Sequence, residues 1–198
     1  MVSEVKANKI SPASGTAITL GDSGDTFTLP SGATIVNSGT ATGFGGGKVL
    51  QVVQTEITAT VTMTSNTMID LTGMTVDITP AATSSKILVS VTGSGSVSHG
   101  DNAQFKIQRD GSDIHVGDAA SSRTRAFFGW SELPSNTAMT VNALYLDSPS
   151  TTSAVTYKVQ WKGYAVSRVN AWNRTSTDAD TASYYRGASS IIVMEIGA

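Results

Sequence analysis

Val155-Thr156-Tyr157-Lys158-Val159-Gln160-Trp161-Lys162 alternates large apolar and polar residues without a break. A period of two places Val155, Tyr157, Val159 and Trp161 on one face and the Thr, Lys and Gln residues on the other, the pattern of a half-buried β-strand. The same period recurs upstream. Ile87, Val89 and Val91 oppose Ser90 and Thr92, and Ala103, Phe105 and Ile107 oppose Gln104, Lys106 and Gln108. Arg109-Asp110-Gly111-Ser112 then supplies the Asp-Gly signal of a tight hairpin, with alternation resuming at Ile114 and Val116. Met74, Val76 and Ile78 form another such run, stopped by Pro80. No window longer than ten residues carries a helical period. From Val49 onward the chain reads as all-β, with about eight to ten short antiparallel strands, the spacing of a sandwich or jelly roll.

Composition agrees. Ser and Thr fill 53 of 198 positions and Gly another 19, more than a third of the chain, and these residues favour strands and turns over helices. Charged residues are only 14%, and the net charge of −2 offers no basic excess for tracking phosphates, so nucleic-acid binding is not expected. Cysteine is absent, which removes disulfides, Cys–zinc sites and thiol nucleophiles. The N-terminus has no apolar core of a signal peptide. The longest run of large aliphatic residues, Ile191 to Met194, falls far short of the roughly 20 residues of a membrane span, so no membrane insertion is expected.

The first 48 residues follow a different rule. Ser-Gly opens a short unit at Ser14, Ser23, Ser31 and Ser38, each with a turn and then a few β-prone positions such as Ile18, Leu20, Phe27, Leu29 and Ile35. Units this short cannot bury a core alone and must stack on themselves or on other chains. One or two large apolar residues per unit suit three chains sharing an axis; a flexible linker is the other reading. Gly45-Gly46-Gly47 reads as a neck. The expected organisation is an N-terminal docking arm at 1–13, a Ser-Gly-repeat β stalk at 14–48 and a jelly-roll knob at 49–198. In the arm, Val2, Val5 and Ile10 alternate with Glu4, Lys6 and Lys9, enough for an edge strand on a partner.

The last strand breaks the alternation. Ile191, Ile192, Val193, Met194 and Ile196 are apolar on both faces, and a strand apolar on both faces must be covered on both. Ile192, Met194 and Ile196 are therefore expected at a seam between subunits. The residues alone demand only more than one chain.

Catalytic constellations are missing from the sequence. There is no Gly-x-Ser-x-Gly elbow and no His-Glu-x-x-His helix, and the two histidines, His99 and His115, read as surface or rim residues. Gly43 to Val49 imitates a phosphate-binding loop without its first glycine or its Ser/Thr. Asp110 with Asp113, and Asp178 with Asp180, are the acid pairs a glycosidase would need, and they also serve as turn-stabilising residues. No catalytic residue, metal ligand or cofactor is expected. The sequon at Asn173-Arg174-Thr175 matters only in a eukaryotic secretory setting. Tyr164 to Gly187 is the least strand-like stretch and concentrates Arg168, Trp172, Arg174, Tyr184, Tyr185 and Arg186. Aromatics with arginines on a loop form a sugar- or protein-binding surface. They can equally plug a sandwich end, with Arg174 paired to Asp178 or Asp180. Arg123-Thr124-Arg125, ahead of Phe127, Phe128 and Trp130, carries the same two readings.

The segment ISPASGTAITLGDSGDTFTLPSGATIVNSGTATGFG resembles the Ser-Gly-repeat segment of tail-fibre and other virion surface proteins of tailed phages. VGDAASSRTRAFFGW, LYLDSPSTTSAVTYKVQW and SSIIVMEIGA resemble the knob that follows it, which is similar in outline to trimeric C1q/TNF-like jelly rolls. The resemblance implies a homotrimer on the virion surface, assembled in the host bacterial cytoplasm. Two non-enzymatic roles follow from it. One is a capsid decoration or cement protein contacting the major capsid protein. The other is a tail fibre or short spike attached to tail proteins and binding a host surface glycan or protein. Tail fibres of this kind carry a long anchoring module, whereas fewer than ten residues precede the repeat here, which tilts the expectation towards decoration.

Overall fold

A computed structural model describes residues 10–19, 21–34, 36, 48–98 and 100–197. The chain divides into two units, Met1–Phe44 and Gly45–Ala198. In the first, the Ser-Gly units produce turns: Asp25 N–H donates to Asp22 O at 3.0 Å, Asp25 Oδ2 caps Asp22 N–H at 2.8 Å, and Ala33 N–H donates to Pro30 O at 3.0 Å. Among the described residues of this unit no strand forms, and Phe27 is 68% exposed. The apolar side chains Ile10, Ile18, Phe27, Leu29 and Val36 among its described residues all stand exposed. Val2, Val5, Leu20, Ile35 and the Gly45-Gly46-Gly47 neck lie outside the described residues. Ile10 is exposed.

The second unit is all-β, with no helix among its described residues. Its strands are β1 (Val49–Ile57), β2 (Val61–Met63), β3 (Ile69–Ile78), β4 (Lys86–Val97), β5 (Asp101–Arg109), β6 (Ser112–Ile114), β7 (Phe128–Leu133), β8 (Met139–Asp147), β9 (Val155–Gly163), β10 (Asn170–Trp172) and β11 (Ser189–Ile196). Every pairing is antiparallel. One sheet runs β1-β11-β4-β8; β10 continues beside the far end of β4 and carries β2. The other runs β3-β9-β5, with β7 and β6 sharing the outer side of β5. Residues from the inner faces of both sheets form one core cluster, consistent with a β sandwich.

The period-two runs become the central strands. Val155, Tyr157, Val159 and Trp161 are all buried, as are Ile87, Val89 and Val91, and Ala103, Phe105 and Ile107. Asp110 and Gly111 take φ of +47° and +82°, the left-handed pair of a two-residue hairpin, and Arg109 pairs with Ser112. β6 ends at Ile114, so the alternation expected through Val116 is not continued as strand.

The register of β3 against β9 jumps between Asp70 and Thr75, and Gly73 sits in that irregularity at φ +85°. A Cβ there would lie 2.8 Å from Ile57 Cδ1, so both the backbone and the packing require glycine.

Candidate functional site

Strand β11 alternates strictly. Ile191, Val193 and Glu195 point into the core, and Ile192, Met194 and Ile196 are half-buried on the opposite face. Register extends that opposite face across the whole sheet. Met194 pairs with Val52 on β1 and Leu88 on β4, and Leu88 pairs with Leu146 on β8. The row Val52–Met194–Leu88–Leu146 therefore crosses four strands with a large apolar side chain on each, and directly paired residues on one face touch. Ile192 and Leu144 extend it in the next row, beside Gln54 and Ser90. One row further the face turns polar, with Glu56, Ser190, Thr92 and Asn142. Leu144 is 66% exposed, Val52 55% and Leu146 53%. A contiguous apolar patch with a polar border marks a contact surface. In the sequence, the expected seam covers only its β11 portion. Leu144-Tyr145-Leu146 carried the same signal, apolar residues on both faces of a strand.

Glu195 shares β11 with that patch but faces inward, with no solvent exposure. Its Oε2 accepts from Gln51 Nε2 at 2.6 Å and its Oε1 from Ala81 N–H at 2.7 Å. Desolvation pushes this carboxyl up, but the hydrogen bonds from Gln51 and the Ala81 N–H, with the polar groups of Ser85 and Ala82 close by, outweigh it and hold it below the usual value. A second buried acid, Asp147, accepts from both Arg109 Nη1 (2.8 and 2.9 Å) and Tyr157 Oη (2.7 Å), and burial together with that bond pushes the Tyr157 phenol up. Both carboxylates tie strand ends to the sandwich.

The aromatic–arginine segment splits into a buried part and a surface part. Trp172 is wholly buried on β10 against Phe105 (ring centroids 5.6 Å) and Trp161 (6.2 Å), so it belongs to the core and not to a ligand surface. The room for it comes from β4, where a Cβ at Gly93 would lie 2.2 Å from its ring and one at Gly95 2.8 Å from Ala171 O and 3.2 Å from its ring. Arg174 is mostly buried, donating from Nη1 to Thr175 O at 2.7 Å and Ser176 O at 3.0 Å, with Nε 3.7 Å from Asp178. Arg168 packs against Gly100. Tyr184, Tyr185 and Arg186 remain together, lining a cleft of about 310 Å³ with Asp178 and Asp180, and Arg186 pairs with Asp178. Asn173, the residue of the sequon, is buried: Nδ2 donates to Ile57 O (2.9 Å) and Ala59 O (3.0 Å), and Oδ1 accepts from Ser189 Oγ.

Three of the four candidate acids are engaged in the fold, Asp178 by Arg186. Asp110 Oδ1 caps Thr156 N–H at 2.9 Å, and Asp113 is bound by Lys106 and by Gln108 Nε2 at 2.9 Å. Among the described residues no group of three His, Cys, Asp or Glu side chains is placed to hold a metal ion. His99 lies outside the described residues, while His115 stacks on Tyr145 at 4.9 Å. No helix among the described residues is long and apolar enough to cross a membrane. No protein-family model matches this chain, and no curated protein matches it in sequence.

Proposed function

We propose that residues 49–198 form a jelly-roll knob that associates as a homotrimer, and that the chain is a non-enzymatic structural protein of a tailed-phage virion surface. The observation that carries the reading is the outward-facing apolar row Val52–Met194–Leu88–Leu146, exposed at Val52 and Leu146 and half-buried between them. A sheet face of that kind is costly in water and is stabilised by burial against copies of itself, as closed cyclic symmetry provides. The strand order supports the jelly roll: β1-β11-β4-β8 opposes β3-β9-β5-β7, and the long strands cross between sheets at almost every step. The exposed Phe27 and Ile18 in the Ser-Gly unit add a second set of apolar side chains available to other chains. The number three, and the virion setting, come from the resemblance of the Ser-Gly segment and the knob segments.

Capsid decoration is the first role, with the N-terminal arm docking on the shell. The second, a receptor-binding tail fibre or short spike, is favoured by the surface clefts beside Arg186 and Arg125. Immunogold counting on phage particles carrying the protein tests the assignment. Labels spread over the head support decoration, labels confined to the tail support the fibre, and unlabelled particles overturn both. Light scattering of the full chain tests the trimer independently, because a particle of 20.5 kDa would refute it.

A further inference from the structure

Between the end of β6 and the inner face of β8 lies an open cleft of about 600 Å³. Its floor is aromatic. The His115 imidazole stacks on Tyr145 (centroids 4.9 Å, planes 29° apart) and lies nearly parallel to Phe127 (6.3 Å, 24°). His115 holds φ of +51° and is exposed. A non-glycine residue keeps that backbone only where its surroundings impose it, and such positions cluster at binding sites.

The wall of the cleft is a pinned loop. Gly117 N–H donates to Ala126 O at 3.3 Å and Phe127 N–H to Phe105 O at 3.0 Å, while Arg125 Nε donates to Gly117 O at 2.6 Å. That last bond orients the Arg125 guanidinium and uses one of its five N–H groups; among the described residues it has no ion-pair partner. Asp113, also in the cleft, is bonded to Lys106 and Gln108; the Arg125 charge acts on its carboxyl too, but the Lys106–Asp113 pair is neutral, so Arg125 leaves the cluster with one positive charge in excess. On the other side of Arg125 a second hollow of about 450 Å³ shares Phe127 and adds Arg123. The cleft at Arg186 lacks this property, since Asp178 already neutralises its arginine.

We propose that this paired cleft binds a carboxylate-bearing saccharide, with the carboxylate on Arg125 and the sugar ring on the Tyr145–His115–Phe127 floor. A planar carboxylate matches the guanidinium fork, and the apolar C–H face of a pyranose matches an aromatic surface. A neutral sugar leaves the guanidinium unused, and a bare polyanion leaves the aromatic floor unused. The second hollow with Arg123 extends the site to a neighbouring acidic residue of the same glycan. The inference goes beyond the virion reading and does not depend on it.

The test is saturation-transfer NMR and titration calorimetry on the full chain, with trigalacturonate and its fully methyl-esterified, uncharged form as probes, and 3′-sialyllactose as a second acid. Binding of at least one acid, weakened roughly tenfold or more by Arg125→Ala and less by Arg125→Lys, is the expected result. For trigalacturonate, esterification should weaken binding by a similar factor. Tyr145→Phe keeps the ring and should bind within about twofold of the parent, and Arg186→Ala should change nothing. Three outcomes would overturn the proposal: no saturation transfer to either acid, equal binding of the ester, or an Arg125→Ala variant with undiminished binding. An Arg125→Ala variant whose particle mass changes while saccharide binding does not would instead assign the cleft to contacts between copies.

Discussion

Glu195, fully buried on β11, accepts a 2.6 Å hydrogen bond from Gln51 on the neighbouring strand β1, opposite the face that carries Met194. The same carboxylate caps Ala81 N–H, so one acid joins β1, β11 and the β3–β4 connection. Removing it takes the acceptor from the Ala81 N–H and from one Gln51 Nε2 proton, both part-buried bonds, and empties the carboxylate's site. Glu195→Ala should therefore cost about 1–3 kcal/mol, read as a lower urea midpoint with an unchanged slope. The pH dependence follows from the direction of the shift. The native carboxyl is held below its ordinary value of 4.5, so the native state binds this proton less readily than the unfolded chain. The stability it contributes is complete above that value and is lost as pH falls through the lower native one. Glu195→Gln should be less stable than the parent at neutral pH and should lose less further stability between about pH 5 and pH 3.

Trp172 and Gly93 are a second matched pair, 79 positions apart in sequence and in contact in the core. Gly93→Ala drives a methyl into the indole and the Ser189 hydroxyl. Because Ser189 is bonded to Asn173, the collision spreads into the loop after β10. Overpacking of this kind costs about 1–3 kcal/mol or more, and Trp172→Ala about 3–5 kcal/mol. Calorimetric melting of the two single variants and the double variant checks the pairing. With the indole gone the collision with its ring is relieved and only the one with Ser189 remains, so the two effects should fall short of additivity.

These two cases show what the sequence carries and what it hides. Wherever a strand buries one face, alternation exposes it, and Val155 to Trp161, Ala103 to Ile107 and Ile87 to Val91 were legible for that reason. The Asp110-Gly111 turn was legible because only a few residue types tolerate its backbone. β2 and β10 are three residues each and exist through pairing with distant segments, so no local period announces them. Trp172 read as a loop aromatic because the space that swallows it is made by glycines on another strand. Glu195 was invisible for the opposite reason. A lone acid in an apolar run looks outward-facing until Gln51 and Ala81 supply its partners. Half of the contact face was readable from Ile192 and Met194, while Val52 and Leu88 joined it only through register. Of the cleft at His115, Arg125 and Phe127 stand out in sequence as an arginine–aromatic run, while His115 and Tyr145 join them only through the packing of a long loop.

Asn173 is a hub whose loss should be felt at three places. It sits at φ +59°, tolerated by asparagine more readily than by most residues, and its side chain joins Ile57 O, Ala59 O and Ser189. Asn173→Gly relieves the backbone but forfeits the bonds, Asn173→Ala keeps the strain and forfeits them too, and Asn173→Asp aims a charge at two carbonyls. The expected order of urea midpoints is parent, then Gly, then Ala, with Asp at or below Ala, and a loss of about 2–4 kcal/mol for Ala. A midpoint for the Ala variant within experimental error of the parent would show that the loop is held from elsewhere.

The apolar row gives the prediction on which the assembly rests. Leu146 is more than half exposed and Met194 half-buried on the outer face of the β1-β11-β4-β8 sheet, so neither supports the core of its own chain. An aspartate at the exposed Leu146 costs an isolated knob little, within about 0.5 kcal/mol, and at the half-buried Met194 somewhat more, without disturbing the inward face. In an assembly that buries this face, the same aspartate is an unpaired charge repeated in every subunit, and its desolvation opposes association. Leu146→Asp and Met194→Asp should therefore both yield a folded particle of 20.5 kDa by light scattering, with the far-ultraviolet circular dichroism of the parent. Thr92→Asp, in the polar border two rows away, should leave the assembly intact. An assembly that survives both apolar substitutions would place the contact elsewhere, with the Ser-Gly unit and its exposed Phe27 the next surface to change. A wild-type chain that is itself monomeric at high concentration would remove the argument for a shared axis altogether.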